Sequence, residues 1–173
     1  QAVAAAMAGA DTHLITRLGR DPFADMALAT WKKAGVTPAI TQHSDSYTGA
    51  AYIFIEAATG NNAIIICPGV AGTINESDID ARSDLIRSAS VFIVQLEQPM
   101  AAAMRALQIA RAAGVRTILN PAPAAPLPEG MLALCDYVTP NETEAEALTG
   151  LPVTTVDEAI AAAKALRTMG AGA

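Results

Sequence analysis

Aromatic residues are scarce in this chain: three Phe, three Tyr and one Trp make up 4% of its 173 residues. Charge is scarce as well, at 16%, and 11 Lys and Arg are outnumbered by 17 Asp and Glu, with no basic cluster. Without a basic stripe, a nucleic-acid interface is not expected. No apolar run approaches the length of a bilayer span, so no membrane segment is expected either. The two cysteines, Cys67 and Cys135, stand apart in apolar runs, which is neither a disulfide framework nor a metal-ligand spacing. Free thiols in a reducing cytoplasm are the expectation. The start, Gln1-Ala2-Val3-Ala4-Ala5-Ala6, has no basic leader and is read as no signal peptide. Three signatures are missing: Gly-x-x-x-x-Gly-Lys, Gly-x-Gly-x-x-Gly and Gly-x-Ser-x-Gly. Their absence argues against a P-loop, a dinucleotide-binding dehydrogenase and an α/β-hydrolase respectively.

What is present is aliphatic. Hydrophobic residues make up 52% of the chain and alanine dominates them. A core of Ala, Val, Ile and Leu suits helices packed on a parallel sheet, and the length suffices for one domain with a substantial core. Gln1 begins inside an alanine-rich helix with no cap before it, and Gly170-Ala171-Gly172-Ala173 follows a helix with no strand after it. The chain is therefore expected to be an internal piece of a longer protein.

Along the chain the pattern alternates. A helix over 1–7, a strand over 13–17 and a helix from Pro22 to about Lys33 are predicted. The second helix has Asp21 as its cap, Pro22 at its first position and Gly35 as its stop. Three short strands follow, 39–42, 48–56 and 63–67, with Gly60-Asn61-Asn62 as a turn between the last two. Strands in succession without crossover helices predict a small antiparallel sheet beside the main body. Ala51, Ile53 and Ile55 alternate with Tyr52, Phe54 and Glu56, so both faces are largely apolar, one suited to covering a ligand and the other to meeting a partner subunit. Alternation then resumes: helix 76–85 capped by Asn75, strand 90–96 of the kind buried on both faces, helix 99–113, strand 115–119, a short helix 128–134, strand tip 137–138, helix 144–149 and helix 156–169. Strand–helix alternation predicts a parallel sheet, whose ligand site lies at the carboxyl ends of the strands.

Three of those ends carry polar or unusual residues: Gln95-Leu96-Glu97-Gln98-Pro99, Asn120-Pro121-Ala122-Pro123, and Pro140-Asn141-Glu142-Thr143-Glu144. Glu97 follows an apolar run, where a bare carboxylate is costly to bury. It is either a solvated loop residue or an acceptor for two hydroxyls of a polyol. Asn141 at an N-cap places Glu144 at the third helical position, which makes a capping box. An amide and a carboxylate at a strand end also suit a hydrated metal ion and a phosphate. Both readings stand on spacing alone. Arg20 is read as a surface residue, His13 as a strand residue and His43 as a surface residue of the hairpin region.

Taken in order, Val94-Gln95-Leu96-Glu97-Gln98-Pro99, Leu119-Asn120-Pro121-Ala122-Pro123-Ala124, Thr139-Pro140-Asn141-Glu142-Thr143-Glu144-Ala145-Glu146 and Leu148-Thr149-Gly150 resemble the ribokinase-like carbohydrate kinase superfamily. Thr48-Gly49-Ala50-Ala51-Tyr52-Ile53 resembles that family's lid strand, and the opening residues resemble those just after its glycine-rich sugar motif. The resemblance implies an ATP-dependent kinase acting on the hydroxymethyl of a pentose. Its implied fold is a Rossmann-like α/β/α sandwich with a mainly parallel sheet and a small antiparallel β lid. The body would be 1–35 and 68–173 and the lid 36–67. It implies that Glu97 binds sugar hydroxyls, that Ala51, Ile53 and Ile66 face the sugar, and that Asn141 and Glu144 position Mg2+ and the ATP phosphates, Glu144 through a water. It implies a homodimer through the lid. The base aspartate, its Gly-Ala-Gly-Asp motif and any K+ site would lie beyond Ala173, so this chain alone is expected to be inactive. Two departures bear on the sugar: Gly19-Arg20-Asp21 is followed by Ala24 where the family has glycine, and Pro68-Gly69-Val70-Ala71 lacks the family's asparagine.

Overall fold

The computed structural model describes residues 1–43 and 45–173; Ser44, inside the 36–67 segment, lies outside the described residues. The chain divides into two units, Gln1–Ile74 and Asn75–Ala173.

In the first unit, helix α1 (Ala2–Met7), strand β1 (Thr12–Leu18), helix α2 (Pro22–Ala34) and strand β2 (Val36–Gln42) follow in order. The predicted punctuation holds. Asp21 accepts from the Ala24 amide, Pro22 sits in the first turn, and Gly35 closes α2 at φ 82°, a left-handed conformation that glycine adopts without penalty. Strand β2 runs parallel to β1, with Thr12 beside Val36 and Leu18 beside Gln42. This corrects the three-stranded antiparallel sheet expected after residue 36. The thirteen-residue helix α2 is the crossover that parallel pairing demands. Pro38, opposite Leu14, reads as a breaker because it cannot donate to a ladder, and it hid the first half of the strand.

The antiparallel sheet has two strands, β3 (Thr48–Ile55) and β4 (Asn62–Gly69). Thr48 lies opposite Gly69 and Ile55 opposite Asn62. The turn is closed by Glu56 N–H to Asn61 O and Gly60 N–H to Glu56 O, both 2.8 Å. Every residue from 51 to 66 is exposed.

In the second unit, β5 (Val91–Val94), β6 (Arg116–Leu119) and β7 (Tyr137–Val138) form one parallel sheet in chain order. The helix predicted over 76–85 is two shorter ones, α3 (Glu76–Asp80) and α4 (Ser83–Ser88), because Arg82 leaves helical geometry at φ −120°, ψ 17°. Helix α5 (Met100–Ala112) joins β5 to β6. The predicted helix over 128–134 is only a 3-10 turn, Leu132–Leu134. Helices α6 (Glu142–Thr149) and α7 (Val156–Thr168) complete the unit. Its core joins Val94, Leu96, Leu107, Leu119, Met131, Leu132 and Leu166, with Leu107, Leu119 and Met131 fully buried. Strand β5 is not buried on both faces as its apolar run suggests. Val94 is buried, while Val91 and Ile93 are exposed, because α5 and α7 send Leu107 and Leu166 to the Val94 and Leu119 side. Fold class is as expected, with parallel sheets and a separate antiparallel one.

Candidate functional site

The predicted carboxyl edge of the second unit's sheet is physically continuous. Beyond the last ladder pair, Asn120 N–H donates to Val94 O, Leu96 N–H to Ala122 O and Thr139 N–H to Leu119 O, each at 2.9 Å. The Asn120 side-chain amide then donates to Thr139 O at 3.0 Å. The loops after β5, β6 and β7 are thus laced side by side, so the three polar segments singled out in the sequence share one edge. Glu97 lies in the first of these loops and is exposed.

At the third loop, Asn141 is the N-cap of α6, in extended backbone at φ −78°, ψ −179°. Its Oδ1 accepts from the Glu144 N–H at 2.8 Å. In return Glu144 Oε2 accepts from the Asn141 N–H at 2.9 Å, and Oε1 accepts from Asn141 Nδ2 at 3.0 Å. The capping box is therefore present, and it holds the Asn141 amide in a single orientation. Glu144 is only 7% exposed. A carboxylate offers about four acceptor positions, and two of those on Glu144 are used by these bonds. The remaining ones suit a water of a hydrated cation, at a helix start whose dipole favours anionic groups. Among the described residues no group of three or more His, Cys, Asp or Glu is arranged to hold a metal directly. The lone carboxylate fits contact with Mg2+ through water, not direct chelation.

Ala51, Ile53 and Ile66 share one face of the β3–β4 ribbon: Ala51 is opposite Ile66, and Ile53 is opposite Ile64. Tyr52, Phe54 and Ile65 occupy the other face, and each is more than half exposed. These ribbon residues belong to the first unit, while Glu97, Asn141 and Glu144 belong to the second. His13 stands in β1 as read; His43, read as a surface residue, is half-buried at the end of β2.

Two networks went unread in the sequence. Asp21, seen as a plain cap, also accepts from the Thr48 N–H at 2.7 Å through its second oxygen. Asp136 accepts from the Thr117 N–H at 2.8 Å and from Arg111, tying β6 to the start of β7. These contacts, led by the Thr117 amide, hold the Asp136 carboxyl below its ordinary range. Both pairings span many residues, and no local pattern announces them. Both cysteines are free thiols; burial pushes the Cys135 thiol up to about 12.

This chain belongs to the pfkB family of carbohydrate kinases, whose sequence model matches residues 1–173. It is 43% identical over 165 residues to the bifunctional ribokinase/ribose-5-phosphate isomerase A of Fructilactobacillus sanfranciscensis, over 95% of this chain and 30% of that protein. It is 43% identical over 155 residues to the ribokinase of Staphylococcus aureus, over 89% of this chain and 51% of that one. The structure of Arabidopsis thaliana ribokinase complexed with ribose and ATP superposes with a TM-score of 0.88 at 28% identity, covering 98% of this chain and 56% of that one. The chain thus spans about half the length of these ribokinases.

Proposed function

We propose that the protein carrying this chain is an ATP-dependent sugar kinase that transfers the γ-phosphoryl group to the hydroxymethyl of a pentose such as ribose. The observation that carries this reading is the laced carboxyl edge, where the Glu97 loop after β5 and the Asn141–Glu144 pair after β7 flank the β6 loop at the same end of one sheet. Ribokinase relatives, one of them complexed with ribose and ATP, support it.

In this reading Glu97 accepts hydrogen bonds from two sugar hydroxyls and orients the ring. The Ala51, Ile53 and Ile66 face of the ribbon covers the sugar and excludes water, which strengthens every polar contact beneath it. Asn141 and Glu144 hold the waters and phosphates of the nucleotide, Glu144 acting through a water. Mg2+ supplies charge compensation across the phosphate oxygens as the transfer proceeds. The base aspartate and any K+ site lie outside this chain. Residues 1–35 and 68–173 serve as the kinase body, which β2 joins by pairing with β1, and within the 36–67 segment the β3–β4 ribbon forms the cover. The Tyr52, Phe54 and Ile65 face meets a second subunit, giving a homodimer through the lid, and the enzyme works in the cytoplasm.

The test is ATP turnover by the full-length protein against a panel of pentoses, other sugars and nucleosides. Ribose-dependent ADP release is expected, with Glu97→Ala raising the sugar KM more than the ATP KM. Turnover with a nucleoside alone, or binding of sugar without turnover, would replace this reading with a different kinase or a non-catalytic sugar-binding homologue.

A further inference from the structure

The first unit contains a built joint that neither the family match nor the proposed roles account for. The Asp21 carboxylate holds two amides at once: Ala24 N–H on Oδ1 at 2.8 Å and Thr48 N–H on Oδ2 at 2.7 Å. The first bond caps α2. The second grips the first residue of β3. The Thr48 hydroxyl accepts from the Gly19 N–H at 2.9 Å, and Thr48 is 6% exposed. Across the ribbon, Val70 N–H donates to Tyr47 O at 2.9 Å. Gly19 leaves no room for anything else: a Cβ there would lie 2.6 Å from Asp21 Oδ2, 2.7 Å from Thr48 N and 2.8 Å from Ser46 O. The Thr48 and Ala24 amides hold the Asp21 carboxyl below its ordinary range, so both bonds are made to a carboxylate.

We propose that Asp21 is a positioning residue for the sugar-covering ribbon, fixing the direction in which β3 sets out from the start of α2 and thereby the affinity for the sugar. This inference rests on the reading of the ribbon as a sugar cover. Residues 51–66 are exposed throughout, so the root alone determines where the far ribbon points. Ala51 and Ile53 lie about 10 and 17 Å along the strand from Thr48, at about 3.4 Å per residue. A tilt of about 5° at the root displaces them by about 1 to 1.5 Å, enough to spoil the fit of a positioned site. No sugar contact by Asp21 itself is required.

Asp21→Ser separates the two bonds. Serine still caps a helix but is one bond too short to reach Thr48 as well. In the full-length protein, Asp21→Ser is expected to speed amide hydrogen exchange at Thr48 and to raise the ribose KM about ten-fold, the loss typical of one hydrogen bond to a charged acceptor. The ATP KM should stay within two-fold. Asp21→Asn, whose amide accepts from only one of the two N–H groups, should fall between. Thr155→Ala, which removes the N-cap of α7, is the control for general softening and should leave the ribose KM unchanged. A ribose KM within two-fold of the parent despite faster Thr48 exchange would overturn the inference alone. So would unaltered Thr48 exchange, or an equal rise in Thr155→Ala. A parent that phosphorylates no sugar would instead sink the sugar-kinase reading, and this inference with it.

Discussion

Replacing Glu144 by glutamine separates what the carboxylate does for the fold from what it does for the reaction. In the parent, both Glu144 oxygens accept from Asn141, one from its backbone N–H and one from Nδ2, at 2.9 and 3.0 Å. A glutamine carbonyl can replace the first bond, since Glu and Gln both serve at the third position of a capping box. Its NH2 group then faces the Asn141 NH2 group. Asn141 cannot flip to relieve this without giving up its bond to the Glu144 N–H. One hydrogen bond to a partly buried group is lost, costing about 1–2 kcal/mol, or a Tm lower by about 2–8 °C for a chain of this size. Glu144→Ala loses both bonds and should cost about 2–3 kcal/mol. The stability change is small enough to leave the full-length protein folded at 25 °C. If Glu144 orders a magnesium-bound water, removing its charge should lower kcat 10–100-fold, the usual effect of losing a group that supports a metal's ligands. The assay is ribose phosphorylation across a magnesium titration, beside a thermal melt. A kcat within two-fold of the parent at every magnesium concentration, with the Tm lowered as stated, would show that Glu144 is a helix cap and nothing more.

Two further outcomes follow from other parts of the structure. Asp136 has a depressed native value, with Thr117 as the leading cause and Arg111 assisting, against an ordinary 3.8. Its stabilisation is therefore present in full above 3.8 and is lost as pH falls through the lower native value, where the unfolded chain binds more protons. Asp136→Asn should lower stability by about 1–2 kcal/mol at pH 7 and flatten the acid limb of a pH–stability curve; an acid limb identical to the parent's would refute the assignment. On the ribbon, Ile65→Lys places a charge amid Tyr52 and Phe54 on a face that is more than half exposed. If that face holds two copies together, sedimentation should show a dimer becoming monomer, with a Tm that is lowered and no longer rises with protein concentration; a dimer that persists would move the interface elsewhere.

Much of this fold was legible because its signals are local. Asp21-Pro22 with Gly35, and Asn141 with Glu144, each close a hydrogen bond or set a backbone angle within the helix they bound. Side-chain chemistry at those positions competes directly with the backbone, so type and spacing suffice. What stayed hidden depends on where distant segments meet. The pairing of β2 with β1 hangs on the path taken by α2, and Pro38 inside the strand pointed the other way. The apolar run of β5 could not reveal that only its Val94 side would be covered, since a continuous run fits burial on either face. The Asp21–Thr48 bond joins residues 27 apart; its sequence trace is a glycine before an aspartate, which a helix cap already explains.

The Asn141–Glu144 pair was legible as a motif but ambiguous in meaning, and the molecule holds its own comparison. Thr155 and Glu158 form another capping box, with Glu158 accepting from the Thr154 and Thr155 amides while only half-buried. Capping asks for no more than that, because a half-buried glutamate satisfies the same orphan amides at a smaller desolvation cost. At α6 the glutamate is instead 7% exposed, its two oxygens are both engaged by Asn141, and the pair stands at the carboxyl edge of a parallel sheet. Burying a carboxylate this fully costs free energy that a half-buried cap largely avoids. The excess is accounted for if the carboxylate must be held rigid and shielded beside a reacting phosphate, where a fixed charge acts more strongly than a hydrated one.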